Sequence, residues 1–230
     1  MNRKIWIGLI GALFCAYGTA ASAGLITVSD EHISSITDWT DTLTVDQFDS
    51  SLGTLTSVTI SFDATMLSDM TLDNDNATAT TAQGTVDVQT IGSFLGLGSL
   101  VIALSAPTGF QDLGADDSGD TDLPGDGGPD EITISGLTST DMLSAILTSG
   151  DADFASFIGL GSLSTTGLGT FGGFSVLGGG GNVDVNLNTQ AGASLTVAYE
   201  FEEVAVPEPT SLLLIGAGLI GIFGARRRLY

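Results

Sequence analysis

The sequence predicts an all-β chain: a β-sandwich, with a jelly-roll-like arrangement as one variant, between an N-terminal signal helix and a C-terminal single transmembrane helix. Three observations lead there. Short apolar runs alternate with polar residues at period two through the body, turns rich in Gly and Asp separate them, and the long uninterrupted apolar stretches sit at the two ends. The chain divides into 1–23, 24–205 and 206–230.

Residues 1–23 come first. Arg3 and Lys4 precede an apolar run from Ile5 to about Ala16, and Ala21-Ser22-Ala23 sets small residues before Gly24. This is the layout of a secretory signal cut by signal peptidase between Ala23 and Gly24. A permanent anchor would need about 20 apolar residues. Cys15, the one cysteine, leaves with the signal, so the exported chain forms no disulfide and packing must hold it.

In the body, Leu25 to Val28 is the first strand candidate. Leu43 and Val45, then Val58, Ile60 and Phe62, put apolar side chains on one face, with a turn near Asp49-Ser50-Ser51 and Gly53. Further strands are expected at Gly84 to Ile91, Ser99 to Leu104, Glu131 to Ile134, Asn182 to Leu187 and Ser194 to Phe201. One helix is expected, from Asp141 to Thr148. Gly159 to Gly181 carries 10 glycines in 23 residues and reads as a flexible loop, since phosphate cradling would need a lysine or a helix start after it.

Charge is segregated. All five basic residues, Arg3, Lys4, Arg226, Arg227 and Arg228, lie near the termini, whereas the 27 acidic residues run from Asp30 to Glu208. Such a polyanion repels nucleic acid and anionic bilayers, which excludes nucleic acid as an electrostatic partner. Its high Val, Ile, Leu and Thr content argues for a folded body over an acidic disordered one.

The most chemical stretch is Asp112 to Glu131. Written against the calcium-loop pattern, Asp120 takes position 1, Asp122 position 3, Gly125 position 6 and Glu131 position 12, but Pro124 fails at position 5. A loose Ca²⁺ site from Asp120, Asp122, Asp126 and Glu131, with Asp116 and Asp117 as alternates, stands against a solvated acidic loop. Catalytic residues are expected to be none. His32, the single histidine, has no cysteine to activate and no second metal ligand in a recognisable motif, and carboxylates are too numerous for any pair to signify a glycosidase.

The last element is 206–230. Val206-Pro207-Glu208-Pro209 breaks any preceding strand, because proline donates no backbone hydrogen bond. Ser211 to Ala225 follows as an apolar run of 15 residues, about 22 Å as a helix, and Arg226 to Arg228 close it. This order resembles the PEP-CTERM sorting signal of Gram-negative bacteria. The resemblance implies a tail that pauses in the inner membrane, is recognised by exosortase, a transpeptidase-like membrane enzyme, and is then removed. The stretch from Leu43 to Thr65, with the Gly- and Thr-rich approach to Leu195 to Phe201, also resembles the choice-of-anchor E domain of exported proteins with alternative sorting tails. Together these imply a protein exported to the cell surface or extracellular matrix, with a structural or adhesive role among extracellular polysaccharide in a biofilm. The alternatives are a calcium-dependent carbohydrate-binding module and a secreted hydrolase.

Overall fold

A computed structural model describes residues 22–116 and 128–204. The signal helix, most of the acidic loop and the sorting tail therefore lie outside the described residues. Among those described, eleven strands form in the order β1 (Ala23–Ile36), β2 (Thr40–Asp41), β3 (Thr44–Asp46), β4 (Gly53–Asn74), β5 (Thr80–Phe94), β6 (Gly98–Pro107), β7 (Gln111–Leu113), β8 (Glu131–Thr148), β9 (Ser162–Ser164), β10 (Thr166–Gly178) and β11 (Val183–Glu203). Among the described residues, helix is limited to two 3-10 turns, Phe154–Phe157 and Gly179–Gly181.

The strands assemble into two main sheets. One has the order β1-β11-β4-β8, the other β2-β10-β5-β6 with β7 beside β5, and β3 and β9 form a separate pair. The pairings are antiparallel. Along β4 the alternation is strict from Val58 to Leu72: Val58, Ile60, Phe62, Ala64, Met66, Ser68, Met70 and Leu72 are buried, and the residues that alternate with them turn outward. Val86 and Val88 of β5, Leu100, Ile102 and Leu104 of β6, and Leu195, Val197 and Tyr199 of β11 join them in one core. The two sheets meet across it, since Met70 and Leu72 of β4 lie against Gly84 of β5.

Strand length sets the shape. β4 has 22 residues and β11 has 21, so each spans about 70 Å at roughly 3.3 Å per residue. Asn182 to Leu187 and Ser194 to Phe201, expected as two strands, fall in one continuous strand that starts at Val183, with Asn182 left in the turn before it. No turn signal separates them, and Gly192 sits mid-strand against the backbone of His32 and Ser34, where β1 bulges.

Two expectations are overturned. Asp141 to Thr148 is not helical but the second half of β8, paired with Ser57 to Ala64 of β4. Leu143, Ala145 and Leu147 face the core while Met142 and Ile146 remain 52% and 68% exposed. The local pattern is ambiguous between the two periods, and the long template offered by β4 decides it. The glycine-rich stretch from Gly159 to Gly181 is likewise largely strand, holding β9 and β10. Its glycines serve close approach: Gly169 packs on the carbonyl of Trp39, and Gly172 against Thr37.

Candidate functional site

Three connections, β4 to β5, β7 to β8 and β10 to β11, meet at the end of the described body where β4 stops, and asparagines hold them together. Asn74 donates through Nδ2 to the carbonyls of Thr78 (3.1 Å) and Gly114 (2.5 Å), while its Oδ1 accepts from Nδ2 of Asn76 at 2.7 Å. Asn76 in turn donates to the Gly179 carbonyl at 3.0 Å, and Asn182 donates to the Asp75 carbonyl at 2.8 Å. Backbone bonds from Asn74 to Asp130, from Gly114 to Pro129 and from Asp116 to Asn76 fasten both ends of the acidic loop to this knot.

The proposed calcium ligands divide at that point. Asp116 and Glu131 are described, Glu131 as the first residue of β8 opposite Asp73. Asp117, Asp120, Asp122 and Asp126 lie outside the described residues, as do Ala21 of the signal site and Val206, Pro207, Glu208, Pro209, Arg226, Arg227 and Arg228 of the tail. Among the described residues, no cluster of three potential metal ligands forms. Ala23 and Gly24 are described, and both belong to β1, paired with Glu202 and Phe201.

A second locality was invisible in the sequence. His32, on the inward face of β1, reaches across the side of the molecule, where its Nδ1 lies 2.6 Å from Oδ2 of Asp41. Its ring stacks on Trp39, with centroids 3.9 Å apart and planes 23° from parallel, and its Nε2 is 2.8 Å from the Ser35 hydroxyl. Trp39 is buried and donates its indole N–H to the Ala191 carbonyl. Asp41 also accepts from the Thr42 N–H at 2.7 Å. The hydrogen bond from His32, then that from Thr42, hold its carboxyl below the usual aspartate range. Because the sheets are joined here by β1 and β2, this contact closes one side of the core.

Beyond Asp41, on the outer face of the β2-β10-β5 sheet, lies an open depression of about 500 Å³. Thr40, Asp41 and Thr42 supply its polar side, Ile91 and the half-exposed ring of Phe171 its apolar side, and Gly167 and Gly169 bring bare backbone to the surface. An ionised carboxylate, two hydroxyls and an exposed aromatic face on a shallow surface can hold a polar ring without enclosing it. The sequence signal for it was weak, since Phe171 lies in the run read as a loop.

The comparisons bear on the tail. Residues 205–228 match the PEP-CTERM protein-sorting motif. The chain carries a PEP-CTERM sorting signal. That signal implies an exported protein that crosses the membrane and is processed by exosortase. The match covers the tail alone, and the choice-of-anchor E resemblance expected of the body is not confirmed by it. No curated protein matches this chain. Among solved structures, that of infectious bursal disease virus Gx strain aligns at 16% identity over 91% of this chain and 50% of its own, with a TM-score of 0.13. T=1 particles derived from infectious bursal virus align at 13% identity over 90% and 48%, with a TM-score of 0.14. The chain thus spans about half the length of the solved chains it matches. At these scores the likeness carries no argument.

Proposed function

We propose that the body is a β-sandwich of the choice-of-anchor E type that binds extracellular polysaccharide and serves a structural or adhesive role in exopolysaccharide or biofilm. Signal peptidase cuts after Ala23, the tail from 206 onward holds the chain briefly in the inner membrane, and exosortase releases the body to the cell surface or matrix. The reading is of a binding protein without catalysis. The observation that supports it is the depression beside Phe171, open enough for a polymer and lined by groups that suit a sugar ring. A negative body favours a neutral polymer over an anionic one.

The test is retention of the secreted protein on exopolysaccharide of the producing cells. Phe171→Ala is expected to weaken retention at least tenfold with an unchanged melting temperature. Retention equal to that of the unaltered protein would sink the proposed site. A calcium-dependent carbohydrate-binding module is favoured instead by one observation, the pinning of both ends of the acidic loop by Asn74 and Asn76. In that case chelator abolishes retention and Asp120→Asn with Asp122→Asn reproduces the effect.

A further inference from the structure

We propose that Ser35, His32 and Asp41 act as nucleophile, base and orienting carboxylate, and that Ser35 takes acyl groups from uncharged carboxylic esters. This goes beyond the binding reading above and adds a chemical step where β1 and β2 join the sheets. The contacts run in one line. Oδ2 of Asp41 lies 2.6 Å from Nδ1 of His32, and Nε2 on the far side of the ring lies 2.8 Å from Oγ of Ser35. Three side chains in that order are the arrangement that makes a hydroxyl nucleophilic on unrelated folds.

The carboxylate places the protons. Asp41 accepts the Thr42 N–H at 2.7 Å and is held below the usual aspartate range, so it is ionised and can only accept. Nδ1 of the neutral ring therefore carries the hydrogen and donates to Asp41. Nε2 is left bare, and the Ser35 hydroxyl donates to it. Trp39, buried and tied through its indole N–H to the Ala191 carbonyl, stacks on the imidazole at 3.9 Å and fixes its plane.

Along a regular strand, residues three apart point to opposite faces, which is why the sequence gave no sign of the grouping. β1 is not regular here. His32 pairs with Ala193 and Ser35 with Ala191, and between those pairs Ile33 and Ser34 stand against Gly192. The extra residue is a bulge, and it turns Ser35 to the face of His32. Gly192 makes room for it, since a side chain there would meet Oγ of Ser34 at 2.8 Å and the His32 carbonyl at 3.1 Å. His32 and Ser35 are half-buried on an edge strand, where a ligand can approach.

In the step itself, Oγ of Ser35 bonds to the ester carbonyl carbon while its proton passes to Nε2 of His32, and Asp41 balances the imidazolium. The ester C–O bond breaks, the proton leaves with the alcohol, and the acyl group remains as an ester on Ser35. Water then attacks that ester, with His32 again taking and returning the proton, which frees the carboxylic acid and restores the hydroxyl. An anionic ester would be repelled by a body with no Lys or Arg from Ile5 to Ala225. An O-acylated sugar is uncharged, and Asp41 also borders the depression beside Phe171. That choice of ester rests on the polysaccharide reading; the nucleophile does not.

The experiment treats the exported protein with a fluorophosphonate, whose phosphorus Ser35 attacks with loss of fluoride, and maps the adduct by mass. One adduct, on Ser35, is expected. Ser35→Ala should abolish it, whereas Ser34→Ala, which leaves the three side chains in place, should retain it. Asp41→Asn is expected to slow labelling about a hundredfold in a protein that still melts cooperatively, and His32→Ala to lose it and regain part with added imidazole. Because the chain has a single histidine, the nitrogen-15 spectrum of its imidazole reads the tautomer without any variant. Hydrogen on Nδ1 is expected, and hydrogen on Nε2 overturns the proposal. No adduct, or an adduct on another residue, overturns it as well. A labelled protein that frees no acid from acetylated exopolysaccharide overturns the choice of ester alone. Retention on exopolysaccharide is read apart from the adduct, so the binding reading and the nucleophile fall separately.

Discussion

Between Ile5 and Ala225, His32 is the one side chain able to carry a positive charge, and it is placed where two sheet edges meet. Its partner Asp41 has a lowered folded pKa, so the pair stabilises the fold fully above about pH 4, and that contribution is lost as pH falls through the depressed folded value. Asp41→Asn is expected to cost about 0.5 kcal/mol at pH 6, since the carboxylate is partly exposed, and to flatten the fall in stability between pH 5 and pH 2. Urea titrations at a series of pH values check this; an unchanged acid limb would mean the pair is ornamental. Tyr199 works at the opposite end of the scale. Burial, then the charge of Asp46, pushes its phenol up to about 12, and it donates to the Asp46 carbonyl at 2.8 Å. A raised folded pKa contributes stability present below about pH 10 that is lost as pH rises toward 12. Tyr199→Phe should cost about 1 kcal/mol at neutral pH and lessen the alkaline fall, measured by the same titration. Neither partnership was legible beforehand, because His32 and Asp41 meet through a loop, and Tyr199 and Asp46 are 153 positions apart.

At the scale of the element, β4 and β11 show what alternation can and cannot announce. The inward set from Val58 to Phe62 was readable because each apolar residue is followed by a polar one. The length of the strands was not, since no local feature says that β11 continues through Thr189 and Gln190. The turn between β10 and β11 shows the same limit. Gly178, Gly179, Gly180 and Gly181 all have positive φ, from 65° to 94°, and at Gly178 a side chain would meet the Thr81 carbonyl. What reads as a flexible run is a backbone requirement. Gly178→Ala is expected to destabilise by about 2 kcal/mol, seen as a lower urea midpoint with an unchanged slope, whereas Gly173→Ala, where a side chain meets open space, should cost little. Equal effects at the two positions would contradict the turn's role.

The described body is a long polyanion whose first strand begins beside the end of its last, Ala23 against Glu202. Of the 27 acidic residues, all but Glu208 lie at or before Glu203, and no Lys or Arg occurs from Ile5 to Ala225. Repulsion of this kind is screened by salt, whose Debye length falls from about 30 Å at 10 mM to about 3 Å at 1 M. The urea midpoint should therefore rise with sodium chloride over that range, and a flat response would show that the charge is spread too thinly to matter. A further rise with calcium at matched ionic strength would reveal specific binding over screening.

The tail motif, the acidity and the all-β character were determined by the sequence alone, because each depends on composition or on residues close together in the chain. The tertiary structure decided what distant segments do to one another. Asp141 to Thr148 became strand because β4 lay ready to pair with it, and the loop-like glycines became strand because Trp39 and Thr37 needed to pack against bare backbone. The depression beside Phe171 and the ladder that encloses Ala23 and Gly24 were decided in the same way. Both join residues more than a hundred positions apart, and only closing the sheets brings such residues within reach of hydrogen bonds and side-chain contact.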